Sequence, residues 1–546
     1  MHTPKNPVMK TRLSLRRATL LGVLGAAGIA LAACDSDLLT EKPKDVLVGE
    51  NLYTSASGFR NGLNGLYAEA RRERSGFLDA GNNLRGMMYF IGVDNGWGNY
   101  RSPAIDVYNL FGTLNNSQED DFLDVWKWLY ETINAANTIV DRAENPEVKW
   151  TEAEKNETLA EARFFRAWAY RHLSYLWGGV PLALHESSGA NIKTDWERAT
   201  RQQVWDQVEQ DLLFAEQYLP DQPTTQGGLT KAVAQHYLAE LYLAEDQPVK
   251  AEVYARKVTD SGRYRLITAR YGVNASAPGV AFMDQFADGN VNRNQGNTEG
   301  LWVLQYQNNV TGGGSNIMRR YWVARYYAIA GMKSVPEFGG RGIGRLAPTR
   351  WALELYAPTD DRGSMYAIRK FYQYNNAAAV PKGKKLGDTV FTKAVKEDTK
   401  GLPDWPSTRK WDYADPLDPD GGYNYEDQPY VRLAETYLLL AEAQFKQGNT
   451  GGAAATINLL RDRAHAPRVT AAQVTLDLVL DERSRELLAE EQRRYTLLRT
   501  HTWLDRTKKY NPIAGPNVTA RDTVFPIPQA VIDANLTKPM PQNPGY

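Results

Sequence analysis

The chain contains a single cysteine, Cys34, among its 546 residues. One thiol cannot form a disulfide within the chain, and zinc sites built from several cysteines are excluded as well. Net charge is also lacking, since 64 basic residues balance 64 acidic ones, and no long basic run offers a track for a phosphate backbone. The composition therefore predicts no nucleic-acid partner.

Recognisable catalytic and metal-binding motifs are missing too. The six histidines form no H-E-x-x-H or other ligand pair at helical spacing, and no G-x-S-x-G occurs. The glycine-rich residues 339–345 contain no G-x-G-x-x-G and are not followed by Lys-Ser or Lys-Thr, so they do not form a phosphate loop. In the acidic residues 415–427, Pro416 or Leu417 falls where the first carboxylate of an EF-hand belongs, which favours a solvated turn over an irregular calcium site.

We therefore predict no catalytic residue, no metal and no cofactor, and expect that the protein is not an enzyme. The alternative is a glycosidase, because carboxylate pairs such as Asp360-Asp361 could act as acid and base if they were correctly separated in space.

The one long apolar run lies near the N-terminus. Residues 1–17 carry five basic side chains and no acid, and residues 18–33 are uncharged and rich in Ala, Leu and Gly. That run is short for a membrane span but fits the core of a signal peptide. Because Leu31-Ala32-Ala33-Cys34 resembles a bacterial lipobox, we predict a lipoprotein signal peptide over residues 1–33 and lipidation, for example by palmitate, at Cys34. The alternative is an ordinary secreted protein with an incidental cysteine.

Residues 34–50 are polar and lack helical periodicity, which predicts a lipidated tether. Structure is expected to begin near Ser55, where Phe59, Leu63 and Leu66 recur at helical spacing. Cleavage before Cys34 would leave 59 basic against 64 acidic groups, a net charge of −5.

Beyond the tether, helical periodicity recurs in pairs of segments. Residues 157–177 carry two apolar faces, which predicts a helix buried between neighbours, and Gly178-Gly179 ends it. Residues 231–259 and 433–464 each form two amphipathic segments joined by a turn that contains Pro or Gly. The pattern predicts a mainly α fold, a tetratricopeptide-like helical-repeat superhelix with a long irregular loop-rich insertion and minor β structure.

We divide the body into an N-terminal helical region, residues 51–270, a loop-rich insertion, residues 271–429, and a C-terminal helical region, residues 430–546. The insertion is rich in Gly, Asn, Pro, Tyr and Trp, and a loop region of this length is unusual unless it has a function. We therefore predict that it binds the ligand.

Aromatic residues set among glycine, amide and arginine residues are the candidates for ligand contact. Flat rings can stack on the C–H faces of sugars while neighbouring polar groups bond the hydroxyls, and peptides can use the same surface. The alternative is that these rings hold the loops together. The predicted ligand-binding residues are Trp97, Asn99, Tyr100, Arg101, Arg320, Tyr321 and Trp322.

Several short motifs, in order along the chain, resemble the SusD/RagB family of nutrient-uptake lipoproteins. The residues that carry the resemblance are Glu161-Ala162-Arg163-Phe164-Phe165-Arg166-Ala167, Leu176-Trp177-Gly178-Gly179-Val180-Pro181-Leu182, Leu229-Thr230-Lys231-Ala232, Tyr254-Ala255-Arg256-Lys257-Val258, Arg432-Leu433-Ala434-Glu435-Thr436-Tyr437, Asp481-Glu482-Arg483, Glu486-Leu487, Phe525-Pro526-Ile527-Pro528-Gln529, Ile532-Asp533-Ala534-Asn535 and Gln542-Asn543-Pro544-Gly545-Tyr546. Most of these motif residues look structural.

The resemblance implies a lipid-anchored protein on the outer face of the outer membrane that binds glycan oligosaccharides. It also implies delivery of the ligand to a SusC-like, TonB-dependent transporter barrel. A peptide ligand, as in some members, is the alternative. A scaffold that binds only another protein is a further possibility. By the resemblance, Trp97 and Tyr100 lie where the family's starch-binding prototype has a loop with ligand-binding aromatic residues.

Overall fold

A computed structural model describes residues 52–75, 87–100, 102–393 and 401–546. Cys34, the signal peptide and the tether up to residue 50 lie outside these residues, as does Arg101. None of the described helices is long and apolar enough to cross a bilayer.

Helices make up most of the regular structure, which confirms the predicted mainly α fold. The helices are α1 (Ala56–Arg71), α2 (Met87–Phe90), α3 (Pro103–Asn109), α4 (Phe111–Leu114), α5 (Asp120–Arg142), α6 (Glu152–Trp177), α7 (Arg201–Tyr218), α8 (Lys231–Ala244), α9 (Pro248–Thr259), α10 (Ala281–Asp284), α11 (Met318–Trp322), α12 (Arg350–Glu354), α13 (Leu433–Lys446), α14 (Thr450–Arg463), α15 (Leu476–Leu487), α16 (Arg493–Arg499), α17 (Trp503–Tyr510) and α18 (Gln529–Asp533).

The strands are short and pair only in antiparallel ribbons of two within the described residues. They are β1 (Gly96–Gly98) with β3 (Leu346–Pro348), β2 (Gly300–Leu304) with β8 (Gln428–Arg432), β4 (Ile368–Arg369) with β7 (Ser407–Thr408), and β5 (Phe371–Gln373) with β6 (Thr389–Phe391).

Helix α6 is the centre of the N-terminal helical layer. A capping box between Thr151 and Glu154 begins it, and Gly178, with φ of 77°, ends it. Every residue from Thr158 to Trp177 except Arg163 is buried. The helix lies between α5 and α7, which accounts for the two apolar faces in its sequence.

The two predicted helical pairs pack on each other. Helix α8 packs along α9, α13 packs along α14, and α9 lies against α13. The turns place Asp246 (φ 56°) and Gly448 (φ 77°) in the left-handed region. This stacking of helix pairs confirms the tetratricopeptide-like prediction.

A buried ion network joins the C-terminal helices to the insertion. Glu486 in α15, which is fully buried, accepts hydrogen bonds from Arg463 at 2.5 Å, Arg362 at 3.1 Å and Arg432 at 3.3 Å. Arg432 also binds Glu299, immediately before β2, at 3.1 Å. Burial alone would raise the pKa of Glu486, but the nearby Arg463, Arg432 and Arg362 outweigh it and hold that pKa well below its usual range.

We expect Glu486→Gln to lower the free energy of unfolding by about 3–5 kcal/mol at pH 7, because three buried guanidinium groups lose their shared carboxylate. The depressed pKa of Glu486 stabilises the fold above its unfolded-state value of about 4.3, and this contribution is lost as the pH falls towards the folded-state pKa. The difference between wild type and variant therefore shrinks below about pH 4.

Urea unfolding at pH 7 and pH 3 measures both effects. Glu147→Gln, at an exposed carboxylate, is the matched control and leaves stability nearly unchanged. An equal loss at both pH values would show that lost packing, rather than lost charge, causes the destabilisation.

Candidate functional site

The candidate site lies at one end of the β2–β8 ribbon. The ribbon pairs Gly300 with Arg432 at the ion network and Leu304 with Gln428 at its opposite end. Beyond that opposite end the segments that follow β2 and precede β8 stay paired, because the backbone N–H and C=O groups of Asn316 and Asn424 exchange two hydrogen bonds of 2.8 Å. Asp427 reinforces the junction by accepting the Tyr306 backbone N–H at 2.8 Å.

Two tyrosines, Tyr423 and Tyr425, flank Asn424 in this extended segment. Side chains alternate between the two faces of an extended chain, so residues 423 and 425 share one face and Asn424 points to the other. Asn424 is accordingly buried and its side-chain amide donates to the Tyr413 carbonyl at 2.9 Å, whereas both tyrosines are half-buried. The pair forms an aromatic floor.

A tight loop over residues 307–315 forms the opposite wall. Its ends are closed by hydrogen bonds from Gln307 N–H to the Gly313 carbonyl at 3.0 Å and from Gly313 N–H to the Val310 carbonyl at 2.9 Å. A Cβ at Gly313 would lie 2.1 Å from the Gln307 carbonyl oxygen, so only glycine fits there. From α1, Arg71 holds the loop by donating to the Gly312 carbonyl at 2.6 Å.

Between floor and wall lies a cleft of about 630 Å³, which we call the amide cleft. The groups it offers are amides, hydroxyls and the two phenol rings, a set that can donate to and accept from sugar hydroxyls while a ring covers an apolar face. Its described lining residues include no carboxylate and no imidazole. The lining residues are Ser75, Gln307, Asn308, Asn309, Val310, Thr311, Gly314, Ser315, Tyr423 and Tyr425.

Two of the predicted residues, Tyr100 and Arg320, reach a surface next to this cleft. Arg345 joins them, since its N–H donates to the Arg320 carbonyl at 3.4 Å and its own carbonyl accepts from Tyr100 N–H at 3.2 Å. A Cβ at Gly422 would lie 3.2 Å from Arg320 Nη2, so this guanidinium sits against the residue that precedes Tyr423. Both Tyr100 and Arg320 are half-buried and keep part of their side chains exposed.

Trp97 is not on the surface, and the expectation that its glycine neighbours leave it exposed is wrong. It is 0% exposed in β1, its Nε1 donates to the Pro348 carbonyl at 3.2 Å, and its ring packs edge-on against Trp405 at 5.4 Å. Glycines flank it because a Cβ at Gly96 would lie 2.1 Å from the Phe90 carbonyl oxygen. Here the glycines permit close packing.

Three other predicted residues are also buried. Asn99 joins neighbouring loops through its side chain, which donates to the Gly344 carbonyl at 3.0 Å and accepts from Gly401 N–H at 3.2 Å. Tyr321 is 0% and Trp322 2% exposed, and Trp322 packs edge-on against Phe90. Since a stacking platform needs an open ring face, the alternative interpretation, that these side chains hold the loops together, fits them. Arg101 lies outside the described residues.

Five residues that line the amide cleft were not among the predicted ligand-binding residues: Tyr423, Tyr425, Gln307, Asn308 and Asn309. A detectable signal was present, because Tyr-Asn-Tyr at residues 423–425 alternates aromatic and amide side chains just before β8. Among the residues that the structure describes, no group of three or more His, Cys, Asp or Glu side chains is placed so that it could hold a metal ion.

The fold and the cleft together define a helical-repeat protein with an open, polar, aromatic-floored cleft. Family models identify it further: the SusD family model matches residues 278–546, and a model described as starch-binding associating with outer membrane matches residues 96–243. The chain belongs to the SusD family, as its motifs predicted.

Curated relatives match over most of the chain. The chain is 29% identical over 466 residues to the starch-binding protein SusD of Bacteroides thetaiotaomicron, covering 77% of this chain and 78% of that one. SusD-like protein P2 of Formosa agariphila is 25% identical over 535 residues, covering 95% and 98%.

Solved structures have the same fold. A laminarin-binding SusD-like protein superposes with a TM-score of 0.68 at 19% identity, over 90% of this chain and 99% of that one. Surface glycan-binding protein A from Bacteroides fluxus gives a TM-score of 0.67 at 18% identity, over 90% and 99%.

We expect Trp97→Ala to lower the free energy of unfolding by about 3–5 kcal/mol, because it removes a fully buried indole and leaves a cavity between β1 and Trp405. Thermal or urea denaturation measures the loss. Trp196→Ala, at a half-buried indole, is the comparison and costs less. A Trp97→Ala protein as stable as the wild type would contradict the buried position.

Proposed function

We propose that the protein captures glycan oligosaccharides in the amide cleft at the cell surface and delivers them to a TonB-dependent transporter of the outer membrane. The observation that carries the proposal is the arrangement of Tyr423 and Tyr425 on one face, opposite the amide-bearing loop over residues 307–315. Membership of the SusD family supports it, and so do relatives named as binding starch and laminarin.

The chemistry of the cleft favours sugar over an apolar ligand. Sugar rings carry hydroxyl groups at their edges and apolar C–H groups on their faces. The cleft offers three consecutive amide side chains, which can bond hydroxyls, and two phenol rings, which can cover a C–H face. A cleft of about 630 Å³ falls in the range of about 300–1,000 Å³ that accommodates a small ligand or several sugar units.

Two further clefts lie beside the amide cleft, which suits a chain of sugars. At Thr311 it meets a second cleft of about 500 Å³, which runs between α1 and β2 and is lined by Asn64, Gln226 and Gln305 among others. At residues 225–228 that cleft meets a third one of about 410 Å³, where Tyr264, Asn292 and Asn294 line the wall. Amide side chains thus line all three clefts.

Binding without turnover fits the lining of the amide cleft better than hydrolysis does. A glycosidase needs two carboxyl groups that flank the scissile bond, and the described lining of this cleft offers none. The captured ligand is therefore released intact, as delivery to a transporter requires.

The anchor and the transporter partner rest on the N-terminal sequence and on the family. The lipobox-like residues 31–34 would place acyl chains at the start of the tether, and several chains hold a protein on a membrane more firmly than one. The family model described as associating with outer membrane supports the same location.

Tyr423→Ala tests the ligand site. We expect it to weaken oligosaccharide binding about 2- to 10-fold, since an aromatic platform contributes about 0.5–1.5 kcal/mol beyond area burial. Isothermal titration calorimetry with soluble maltooligosaccharides, laminarin oligosaccharides and a peptide pool measures the affinities, and chromatography of the same mixtures detects turnover.

Tyr254→Ala is the matched control, because Tyr254 is also half-buried but lies in α9. Equal affinities of the wild type and a Tyr423→Ala, Tyr425→Ala double variant would remove the amide cleft from the site. Binding of peptides alone, or release of shortened sugars, would contradict glycan capture.

Cys34→Ala tests the anchor. We expect the variant to leave the membrane fraction, because the acylated sulfur and amino group are lost. Membrane fractionation after a high-salt wash, followed by immunoblotting, measures it. Ser36→Ala, two residues further along, is the control and stays with the membrane. Retention of the Cys34→Ala protein would show that acylation at Cys34 is not the anchor.

A further inference from the structure

An arginine-rich surface adjoins the amide cleft at Gly422 and Tyr423. We call it the arginine face and define it by Arg320, Arg341 and Arg345 with Tyr100 and Tyr327. The Arg341 guanidinium lies 5.7 Å from the centre of the Tyr327 ring. The backbone of Arg345 bonds both Arg320 and Tyr100, and Arg320 covers Gly422.

The arginines of this face lack the carboxylate partners that several buried arginines of the protein have. Arg362, Arg432, Arg463 and Arg493 each form at least two ion pairs with buried carboxylates. By contrast, Arg320, Arg341 and Arg345 form no ion pair with any residue that the structure describes.

Arg345 is 7% exposed, and its Nη1 has no hydrogen-bond partner among the described residues. An unpaired buried guanidinium is costly unless something else compensates its charge. Burial, followed by the charge of Arg341, lowers the pKa of Arg320. Burial also lowers the pKa of Arg345, and the charge of Arg320 acts in the same direction. The positive charges therefore repel one another, and an added anion would relieve that repulsion.

Nearby acidic groups do not neutralise the face. Asp420 acts on Arg341 but is exposed, where water screens its charge. Beneath the face, Arg319 is 1% exposed, and Asp418 and Glu426 are the acids that act on it. Asp418 is exposed, while burial raises the pKa of Glu426 to about 8, so that carboxyl is mostly neutral at pH 7.

We propose that the arginine face binds an anionic group of the captured glycan, a uronate carboxylate or a sulfate ester, while the neighbouring sugar units occupy the amide cleft. The exposed Arg341 and the half-buried Arg320 contact the anion through charge-assisted hydrogen bonds. Arg345 adds positive charge from below, and Tyr100, Tyr327 and Tyr423 offer rings beside it.

This inference rests on the proposed function and names the class of glycan. The overall charge would not produce such a preference, because the chain after the predicted cleavage carries a net charge of −5 and repels polyanions in general.

Matched pairs of ligands test the charge preference. Oligogalacturonate is compared with its methyl ester, and dextran sulfate oligosaccharides with neutral dextran oligosaccharides, by calorimetry at low and at 0.5 M NaCl. We expect at least one charged member to bind about tenfold more tightly than its neutral partner at low salt, with the advantage falling as salt screens the charges. The two pairs distinguish a carboxylate from a sulfate.

An Arg320→Gln, Arg341→Gln double variant of the full mature protein removes the two accessible charges. We expect it to lose the advantage of the charged ligand and to keep the affinity for the neutral one. Arg468→Gln, at a 67% exposed side chain, is the control for a change in net charge. An unchanged melting temperature of both variants shows that the fold is intact.

The outcomes separate this inference from the proposed function. If neutral sugars bind and depend on Tyr423 but charged ligands gain nothing, the proposed function stands and the anionic preference is wrong. An equal loss in Arg468→Gln would assign the preference to non-specific attraction and overturn the inference. Failure of every glycan to bind would overturn both. Arginine-dependent binding of phosphatidylglycerol vesicles without glycan binding would assign the face to a lipid surface instead.

Discussion

The ion pairs of Glu486 are the interaction on which the arrangement of the molecule depends. This fully buried carboxylate receives hydrogen bonds from arginines 23, 54 and 124 residues away in the chain, on α14, at the end of β8 and in the turn at residues 361–363. A buried charge is tolerated only when it is paired with good geometry. Each arginine must therefore reach Glu486, and this requirement brings the insertion against the C-terminal helices.

The network also orients the candidate site. Arg432 connects Glu486 to Glu299, so the network holds both strands of the β2–β8 ribbon at one end. The amide cleft opens beyond the other end of the ribbon, where Asp427 and the Asn316–Asn424 pairing keep the two backbone segments together. The short β2–β8 ribbon thus connects the buried ion network to the loops that form the cleft. Loops placed on a rigid scaffold in this way commonly carry function.

The contrast between paired and unpaired arginines gives the surface its character. Several interior arginines are matched with carboxylates, as Arg493 is with Asp94 at 2.7 Å. Beside the cleft, Arg320, Arg341 and Arg345 form no ion pair with a carboxylate among the described residues. The difference could not be anticipated from composition, because the numbers of basic and acidic residues are equal over the whole chain. Pairing depends on position in space.

The sequence alone determined the helical pairs, their turns and the family, because helical periodicity and turn residues are local properties that neighbours along the chain encode. The α8–α9 and α13–α14 pairs follow the periodicity closely. The amino-acid sequence could not determine which aromatic residues face water. Trp97 is buried by a strand 251 residues away, and Tyr423 reaches the cleft only because a distant loop forms the opposite wall. Exposure is decided by contacts between remote segments, so only the tertiary structure places Trp97 in the core and Tyr423 in the lining of the amide cleft.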